Sequence, residues 1–203
     1  MPGHVVVMVK VPALGRVKTR LSREIGAVRA AQFYRQSLAT VVARLKGSEW
    51  RLVLAVAPDN GAGSRQLPRC VHIAQGTGDL GQRMQRVMDR LPAGPVIIIG
   101  SDIPGVGRRH IRRAFRLLGQ HDAVLGPAGD GGYWLVGFKR RPRVPCGFER
   151  VRWSGPHALA DTMRNLAGLR VAFADQLDDV DEAADLARLG HLASRRVVSL
   201  KAS

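Results

Sequence analysis

Short runs of apolar residues alternate along the chain with longer segments of helical periodicity. The apolar runs predict strands over residues 5–9, 51–57, 71–74, 96–100, 123–126, 133–138 and 169–174. The periodic segments predict helices over residues 27–45, 82–91, 108–118, 156–166 and 182–192. Strands that alternate with helices from the start of a chain are typical of a mostly parallel sheet covered on both faces. We therefore predict the α/β class, and we expect residues 1–203 to form one domain.

The residues after the fourth predicted strand carry the strongest chemical signal. The apolar run from Val96 to Ile99 leads through Gly100 and Ser101 to Asp102, and Pro104 follows closely. Open α/β sheets bind ligands at the carboxyl ends of their strands. A carboxylate at such a strand end suits Mg²⁺ or Mn²⁺ and the substrate phosphates that the cation carries. The structural alternative for Asp102 is a turn or helix-capping role.

A magnesium site of this kind is expected to have a second carboxylate, and two residues compete for that position. Asp130 lies among glycines after the fifth predicted strand, which favours contact with a ligand. Asp181 precedes the last predicted helix, where an Asp is also a good N-cap. Spacing alone leaves both residues open as candidates.

The segment after the first strand is a candidate phosphate-binding loop. Four cations, Lys10, Arg16, Lys18 and Arg20, lie within eleven residues, and Gly15 gives the backbone freedom to turn. Phosphate chains are bound by such cations and by free backbone N–H groups. The loop matches neither GxxxxGK[ST] nor GxGxxG, and a solvated basic loop is the alternative. The motif context favours phosphate binding.

A second candidate ligand loop is rich in glycine. Gly76, Gly78 and Gly81 lie between the third strand and the next helix, and they let the backbone approach a flat ligand closely. Gln75 begins this loop. Asp79 is either part of the ligand site or the N-cap of the following helix.

The formal net charge of +16 raises the question of nucleic-acid binding. The 27 Arg and 5 Lys are spread along the chain without a basic tail or interleaved aromatic residues, so we treat nucleic acid as the lesser reading. The basic segment 139–143 indicates an anionic acceptor or partner, with a solvated loop as the alternative. The chain shows neither a signal peptide nor an apolar run long enough to span a membrane, and we expect a cytoplasmic protein.

Four segments in order carry a family resemblance. They are the Lys-Thr-Arg loop, the glycine-rich loop, the Gly-Ser-Asp-x-Pro segment and the Asp-Gly-Gly-Tyr segment, at residues 10–21, 75–84, 100–104 and 126–133. The chain resembles the bacterial glycosyltransferase-like family of the nucleotide-diphospho-sugar transferase superfamily, which often accompanies radical-SAM proteins. It is more distantly similar to phospholactate guanylyltransferase and to the molybdenum-cofactor guanylyltransferases.

The resemblance implies a GT-A type, Rossmann-like fold, which is a three-layer α/β/α sandwich. It implies that the first loop binds phosphates through Gly15, Lys18 and Arg20. It implies that the glycine-rich loop meets the base. The residues of that second loop are Gln75, Gly76, Gly78, Asp79 and Gly81. It further implies that Asp102 and Asp181 bind Mg²⁺ or Mn²⁺ and that Asp130 faces the sugar or acceptor. The expected catalytic residues are Lys18, Asp102 and Asp130.

The implied function is a metal-dependent transferase with a nucleotide donor. A glycosyltransferase-like reaction of a nucleotide sugar is the first expectation. Nucleotidyl transfer from a nucleoside triphosphate, with release of pyrophosphate, is the alternative. The chain departs from the family patterns at two points, since Asp102 is not part of a full DxD signature and the first loop lacks a GxGxR form. These departures leave the donor open between a nucleotide sugar and a nucleoside triphosphate. The acceptor and the oligomeric state do not follow from the sequence.

Overall fold

The computed structural model describes residues 2–140 and 145–177. The strands are β1 Gly3–Lys10, β2 Trp50–Ala57, β3 Val71–Ala74, β4 Val96–Gly100, β5 Ala123–Pro127, β6 Tyr133–Phe138 and β7 Val171–Phe173. The helices are α1 Thr19–Ile25, α2 Ala27–Leu45, α3 Leu80–Arg90, α4 Arg108–Gln120 and α5 Ala158–Asn165, with a 3₁₀ turn at Asp59–Gly61. None of the helices in this part of the chain is long and apolar enough to cross a membrane.

The strands form one seven-stranded sheet in the order β3-β2-β1-β4-β6-β5-β7. β1 lies at its middle and pairs in parallel with β2 on one side and β4 on the other. β6 runs antiparallel to both of its neighbours, β4 and β5, and the other pairs are parallel. The predicted mostly parallel sheet is confirmed. The loops after β1, β2, β3 and β4 consequently meet at one edge, where ligands bind in sheets of this kind.

Alternate residues of the central strands face two separate apolar layers. Val5, Val7 and Val9 of β1 belong to a cluster that includes buried residues of α2 and α4. Val6 belongs to the opposite cluster, which includes Met84 and other residues of α3. Side chains of a strand point alternately to opposite faces, so a strand buried on both faces reads as an uninterrupted apolar run. The three-layer α/β/α architecture is confirmed.

Most predicted helices have boundaries within two residues of the observed ones, and the clearest differences are at α1 and α5. α1 begins at Thr19, inside a segment that the sequence predicts to be loop, and α5 is shorter than the predicted helix over residues 156–166. The predicted last helix over residues 182–192, and Asp181 before it, lie outside the described residues.

An ion pair between a buried aspartate and an exposed arginine holds the segment before α5 onto that helix. Asp161 is 2% exposed, and its two carboxylate oxygens accept hydrogen bonds from Arg152 Nε and Nη2, both at 2.8 Å. The Arg152 backbone N–H also donates to the same carboxylate, at 3.1 Å. These hydrogen bonds hold the pKa of Asp161 well below the usual value of an aspartate. The ionised carboxylate therefore stabilises the position of Arg152 against α5.

We expect Asp161→Asn to lower the urea midpoint of unfolding at pH 7. The folded-state pKa of Asp161 is depressed, so its contribution is complete above the pKa of an unfolded Asp, about 3.9, and is lost as the pH falls further. The difference between wild type and variant should thus be constant from pH 8 to 5 and shrink below about pH 4. Asp89→Asn removes the same charge at an exposed position and serves as the control. Equal midpoints for Asp161→Asn and wild type at pH 7 would contradict this account.

Candidate active site

The first loop brings a lysine side chain to the edge of the sheet. Lys18 directly precedes α1 and has a left-handed backbone, with φ 48° and ψ 50°. Few residues other than glycine adopt this conformation, and it costs free energy that surrounding contacts must offset. The Lys18 side chain is only 4% exposed, and its Nζ lies 2.6 Å from Asp102 Oδ2. The predicted phosphate loop and the predicted metal-binding carboxylate are therefore in direct contact.

Asp102 lies two residues beyond the end of β4. Since β4 is the parallel neighbour of β1, the loops that follow these two strands meet, and this brings Lys18 and Asp102 together. The Asp102 side chain is 29% exposed, so a ligand can reach the carboxylate. Gly100 permits its position, because a Cβ there would come within 3.1 Å of Asp102 Oδ1.

A buried tyrosine joins the ends of β1 and β4. The Lys10 backbone N–H donates to the hydroxyl of Tyr34 at 2.9 Å, and that hydroxyl lies 3.1 Å from the Lys10 carbonyl oxygen. It also lies 3.2 Å from Ser101 Oγ, next to Asp102. Burial raises the pKa of Tyr34, which keeps its hydroxyl neutral. Tyr34 lies within the helix predicted over residues 27–45, but helical periodicity carries no information about its hydroxyl.

The glycine-rich loop is fixed by side chains that bind its backbone. Gln75 is buried, and its Nε2 donates to the carbonyl oxygens of Val9 and Ala55 at 3.0 and 2.7 Å. Asp79 caps α3, since its Oδ1 accepts from the Gln82 backbone N–H at 2.8 Å. These contacts give both side chains structural roles in the loop. The amide of Gln75 holds the strands, and Asp79 has the capping role that the sequence leaves open.

Two residues that the sequence does not single out shape the same loop. Asp59 Oδ1 accepts a hydrogen bond from the Gly76 backbone N–H at 2.9 Å. Arg86 Nη1 donates to the carbonyl oxygens of Gln75 and Thr77 at 3.0 and 2.8 Å. Gly76 has a φ of +79°, and a Cβ at this position would meet the Arg86 guanidinium. The space left by the absent side chain of Gly76 is therefore filled by the Arg86 guanidinium.

A cavity of about 360 Å³ adjoins Asp102 on the side of β6 and α5. Arg20, Asp102 and Asp130 all line it, so three of the predicted site residues come together here. Asp130 lies in the turn between β5 and β6, and its Oδ1 accepts from the Gly132 backbone N–H at 2.8 Å. This hydrogen bond fixes one carboxylate oxygen of Asp130. Gly15 does not line this cavity, and of the glycine-rich loop only Leu80 lines it.

The aromatic residues of the cavity are held by hydrogen bonds and packing. Trp134 is 3% exposed, and its Nε1 donates to the Asp175 carbonyl oxygen at 2.9 Å. The hydroxyl of Tyr133 lies 3.2 Å from Thr162 Oγ1, and burial raises the pKa of Tyr133. Trp153 makes edge-on contact with Tyr133, at 6.3 Å between ring centroids. The cavity therefore has a rigid aromatic wall.

Of the two carboxylates expected to bind the metal, Asp102 is the one within the described residues. Within residues 2–140 and 145–177, no three His, Cys, Asp or Glu side chains lie together as a metal cluster. Asp181, the second expected ligand, lies outside the described residues. Mg²⁺ is commonly held by one or two carboxylates together with substrate phosphates. A partly exposed carboxylate beside a lysine is suited to such a shared site.

Solved structures share this fold. A Desulfovibrio desulfuricans G20 protein, provisionally assigned as a nucleotide-diphospho-sugar transferase, is 30% identical with a TM-score of 0.82, covering 90% of this chain and 84% of that one. CMP:2-keto-3-deoxy-manno-octonic acid synthetase in complex with CTP is 12% identical with a TM-score of 0.61, covering 97% and 100%. Rv0371c of Mycobacterium tuberculosis H37Rv, in complex with manganese, is 18% identical with a TM-score of 0.52, covering 93% and 98%. The last two likenesses concern the fold alone.

The sequence comparisons give the family. No curated protein matches the chain. A bacterial family model matches residues 39–155, which is more than half of the chain and includes the glycine-rich loop, Asp102 and Asp130. The predicted resemblance to nucleotide-diphospho-sugar transferases is confirmed by the Desulfovibrio structure. The chain belongs to the family described as an uncharacterized protein conserved in bacteria, DUF2064.

Proposed function

We propose that this protein is a metal-dependent transferase that uses a nucleotide donor, with a nucleotide sugar as the first candidate. The observation that carries the proposal is the 2.6 Å contact between Lys18 Nζ and Asp102 Oδ2 at the carboxyl ends of β1 and β4. One residue is suited to phosphate and the other to a divalent cation. A donor diphosphate and its cation need both kinds of group at one point.

The donor phosphates would lie against the first loop. Lys18 and Arg20 supply fixed positive charge to the diphosphate, and Gly15, with its φ of +69°, lets the loop turn around it. Asp102 would hold Mg²⁺ or Mn²⁺, which neutralises negative charge on the phosphate oxygens when it is bound. The nucleoside would lie toward β2 and β3, beside the glycine-rich loop at residues 75–81. That loop stands at the carboxyl end of β3.

In glycosyl transfer, the acceptor oxygen forms a bond to the anomeric carbon of the sugar. The bond between that carbon and the diphosphate oxygen breaks, and the nucleoside diphosphate leaves with the electron pair. Asp130 lines the same cavity as Asp102 and would accept the proton of the acceptor hydroxyl. Its Oδ1 is held by the Gly132 N–H, which orients the carboxylate for this role. Lys18 would remain on the phosphates and stabilise the leaving group.

Nucleotidyl transfer from a nucleoside triphosphate is the second candidate. The fold is shared with a synthetase solved in complex with CTP. In this reaction, an acceptor oxygen attacks the α-phosphorus, and pyrophosphate leaves with the electron pair of the broken P–O bond. Lys18 and Asp102 would have the same role in both reactions, since negative charge develops on a departing diphosphate group in each, the nucleoside diphosphate in the first and pyrophosphate in the second.

The positive charge is a weaker basis for function, because several arginines have structural partners. Arg108 and Arg112 both pair with Glu49, and Arg152 and Arg164 both pair with Asp161. A nucleic-acid binder would instead present its cations to phosphates along one surface. Nucleic-acid binding therefore stays the lesser alternative. Nucleic-acid binding would require that affinity for a duplex falls steeply with salt and that Asp102→Asn does not weaken this affinity.

We expect the donor nucleotide to raise the Tm of the wild-type protein only when a divalent metal is present. The Asp102→Asn variant should lose this rise in Tm. A ligand at one hundred times its Kd stabilises the folded state by about 2.7 kcal/mol, or about 5–10 °C in Tm for a chain of this size. The measurement is a panel of nucleoside triphosphates and nucleotide sugars, each with Mg²⁺, Mn²⁺ or EDTA. Asp130→Asn is the matched control, because it should keep the shift and lose only turnover.

A second variant separates the phosphate role from the metal role. Lys18→Gln should weaken nucleotide binding by about tenfold or more and leave its dependence on the metal in place, because a charge-assisted bond to phosphate is lost. Lys46→Gln removes an exposed lysine after α2 and should bind the nucleotide as wild type does. Unchanged nucleotide affinity in Lys18→Gln, measured by calorimetry, would argue against the proposed donor position.

The leaving group identifies the reaction. With the nucleotide that gives the largest shift, we expect ³¹P NMR to record a nucleoside diphosphate as the released product, as glycosyl transfer requires. Pyrophosphate would instead establish the second candidate. Salt-sensitive duplex binding with no shift by any nucleotide would overturn both transferase reactions.

A further inference from the structure

We propose that Ser154 determines specificity for the transferred group, and that its hydroxyl binds the sugar that a nucleotide-sugar donor places in the cavity beside Asp102. This inference rests on the proposed function, since the sugar belongs to the proposed donor. The position of the cavity, the polarity of its lining and the backbone conformation of Ser154 support it.

The cavity beside Asp102 adjoins both donor loops. Arg20 of the first loop and Leu80 of the glycine-rich loop line it together with Asp102. Donor phosphates that lie against Lys18, with a cation at Asp102, would therefore reach one side of the cavity. The group attached to the terminal phosphate would point into it. In a nucleotide sugar, this group is the sugar.

The lining of the cavity combines polar groups of both charges with an aromatic wall. The guanidinium of Arg20 donates hydrogen bonds, and the carboxylate of Asp130 accepts them. Sugar hydroxyls both donate and accept, so a sugar is suited to a cavity that holds both groups. Tyr133 and Trp134 supply the large apolar surface against which the C–H groups of a sugar ring can pack.

The Ser154 hydroxyl has no structural partner. Ser154 is exposed and lines the cavity. In residues 2–140 and 145–177, no hydrogen bond joins its hydroxyl to another residue. Ser154 does not cap α5 either, because this helix begins at Ala158 and His157 occupies the N-cap position. The hydroxyl is therefore available to a ligand in the cavity.

The backbone of Ser154 is in a conformation that serine disfavours. Its φ is +63°. Few residues other than glycine adopt such a φ, and strain of this kind is concentrated at sites that bind ligands. Four non-glycine residues have a positive φ in the described part of the chain, and Lys18 and Ser154 are the two that belong to the candidate site. The strain at Ser154 thus coincides with a cavity and with an unpartnered hydroxyl.

Contacts on both sides of Ser154 hold this conformation. Before it, the backbone N–H and the guanidinium of Arg152 donate to a buried carboxylate of α5. After it, Pro156 packs on the turn that carries Asp130, since a Cβ at Gly131 would lie 2.5 Å from the Pro156 carbonyl oxygen. Ser154 and Asp130 therefore lie on two segments that pack together and line one cavity.

The role of the hydroxyl is tested by comparing a nucleotide sugar with its nucleoside diphosphate. We expect Ser154→Ala to weaken the binding of the nucleotide sugar about two- to tenfold, because one hydrogen bond is lost. Its affinity for the nucleoside diphosphate should equal that of the wild type, because this ligand carries no sugar beyond the phosphates. The probes are UDP-, GDP-, ADP-, CDP- and dTDP-glucose, each with its nucleoside diphosphate. Calorimetry in the presence of Mn²⁺ measures the affinities.

Glycine at the same position separates the strain from the hydrogen bond. Ser154→Gly adopts a positive φ freely, so it should unfold at a higher urea concentration than Ser154→Ala, and it should lose the same affinity for the nucleotide sugar. Arg150, with a φ of +52°, is the matched control, because it does not line the cavity. Arg150→Gly should also unfold at a higher urea concentration than Arg150→Ala. It should keep the wild-type ratio of the two affinities.

The inference is overturned if folded Ser154→Ala binds both ligands as the wild type does, or if it weakens the binding of both ligands equally. Either result leaves the proposed function standing, because the wild type still binds the nucleotide. A lower urea midpoint for Ser154→Gly than for Ser154→Ala would also overturn the inference, since the backbone at this position would then not favour glycine. If the wild type binds none of the probes, the proposed function fails and this inference fails with it.

Discussion

The contact between Lys18 and Asp102 is the constraint on which the site depends. It joins the loop after β1 to the loop after β4, and it does so with opposite charges that are only partly exposed to water. Lys18 reaches this position from a left-handed backbone conformation, which the surrounding structure must hold. The Tyr34 hydroxyl links the two strand ends by hydrogen bonds with the Lys10 backbone and with Ser101 Oγ. The lysine that we propose for phosphate and the carboxylate that we propose for the metal are thereby set next to each other before any ligand arrives.

The rest of the site is arranged on the two sides of this contact. On one side, Gln75 and Arg86 bind backbone carbonyl oxygens and so fix the path of the glycine-rich loop. On the other side, the ion pair of Arg152 with Asp161 holds the segment that carries Trp153 against α5. Pre-organised groups of this kind stabilise developing charge without the cost of rearrangement during the reaction. The proposed positions of the donor phosphates and of the transferred sugar follow from this two-sided arrangement.

Much of the fold could be predicted from the sequence, because strands buried on both faces read as uninterrupted apolar runs. The positions of Asp102 and Lys18 were also predictable, since both follow strands whose carboxyl ends lie at one edge of the sheet. The short helix α1 was not, because it has only seven residues and follows directly on a left-handed lysine. The roles of Gln75 and Tyr34 were equally hidden. Hydrogen bonds from side chains to distant backbone atoms leave no pattern in the sequence.

The most direct test of the account is the crystal structure of the protein grown with Mn²⁺ and a nucleoside diphosphate, with anomalous scattering used to locate the metal. We predict an anomalous peak at the carboxylate of Asp102, bridged to phosphate oxygens that lie against Lys18, with the nucleoside toward the glycine-rich loop. Asp181 would complete the site if it is the second ligand that the family resemblance implies. A nucleotide bound elsewhere on the molecule, or a metal peak remote from Asp102, would contradict the account.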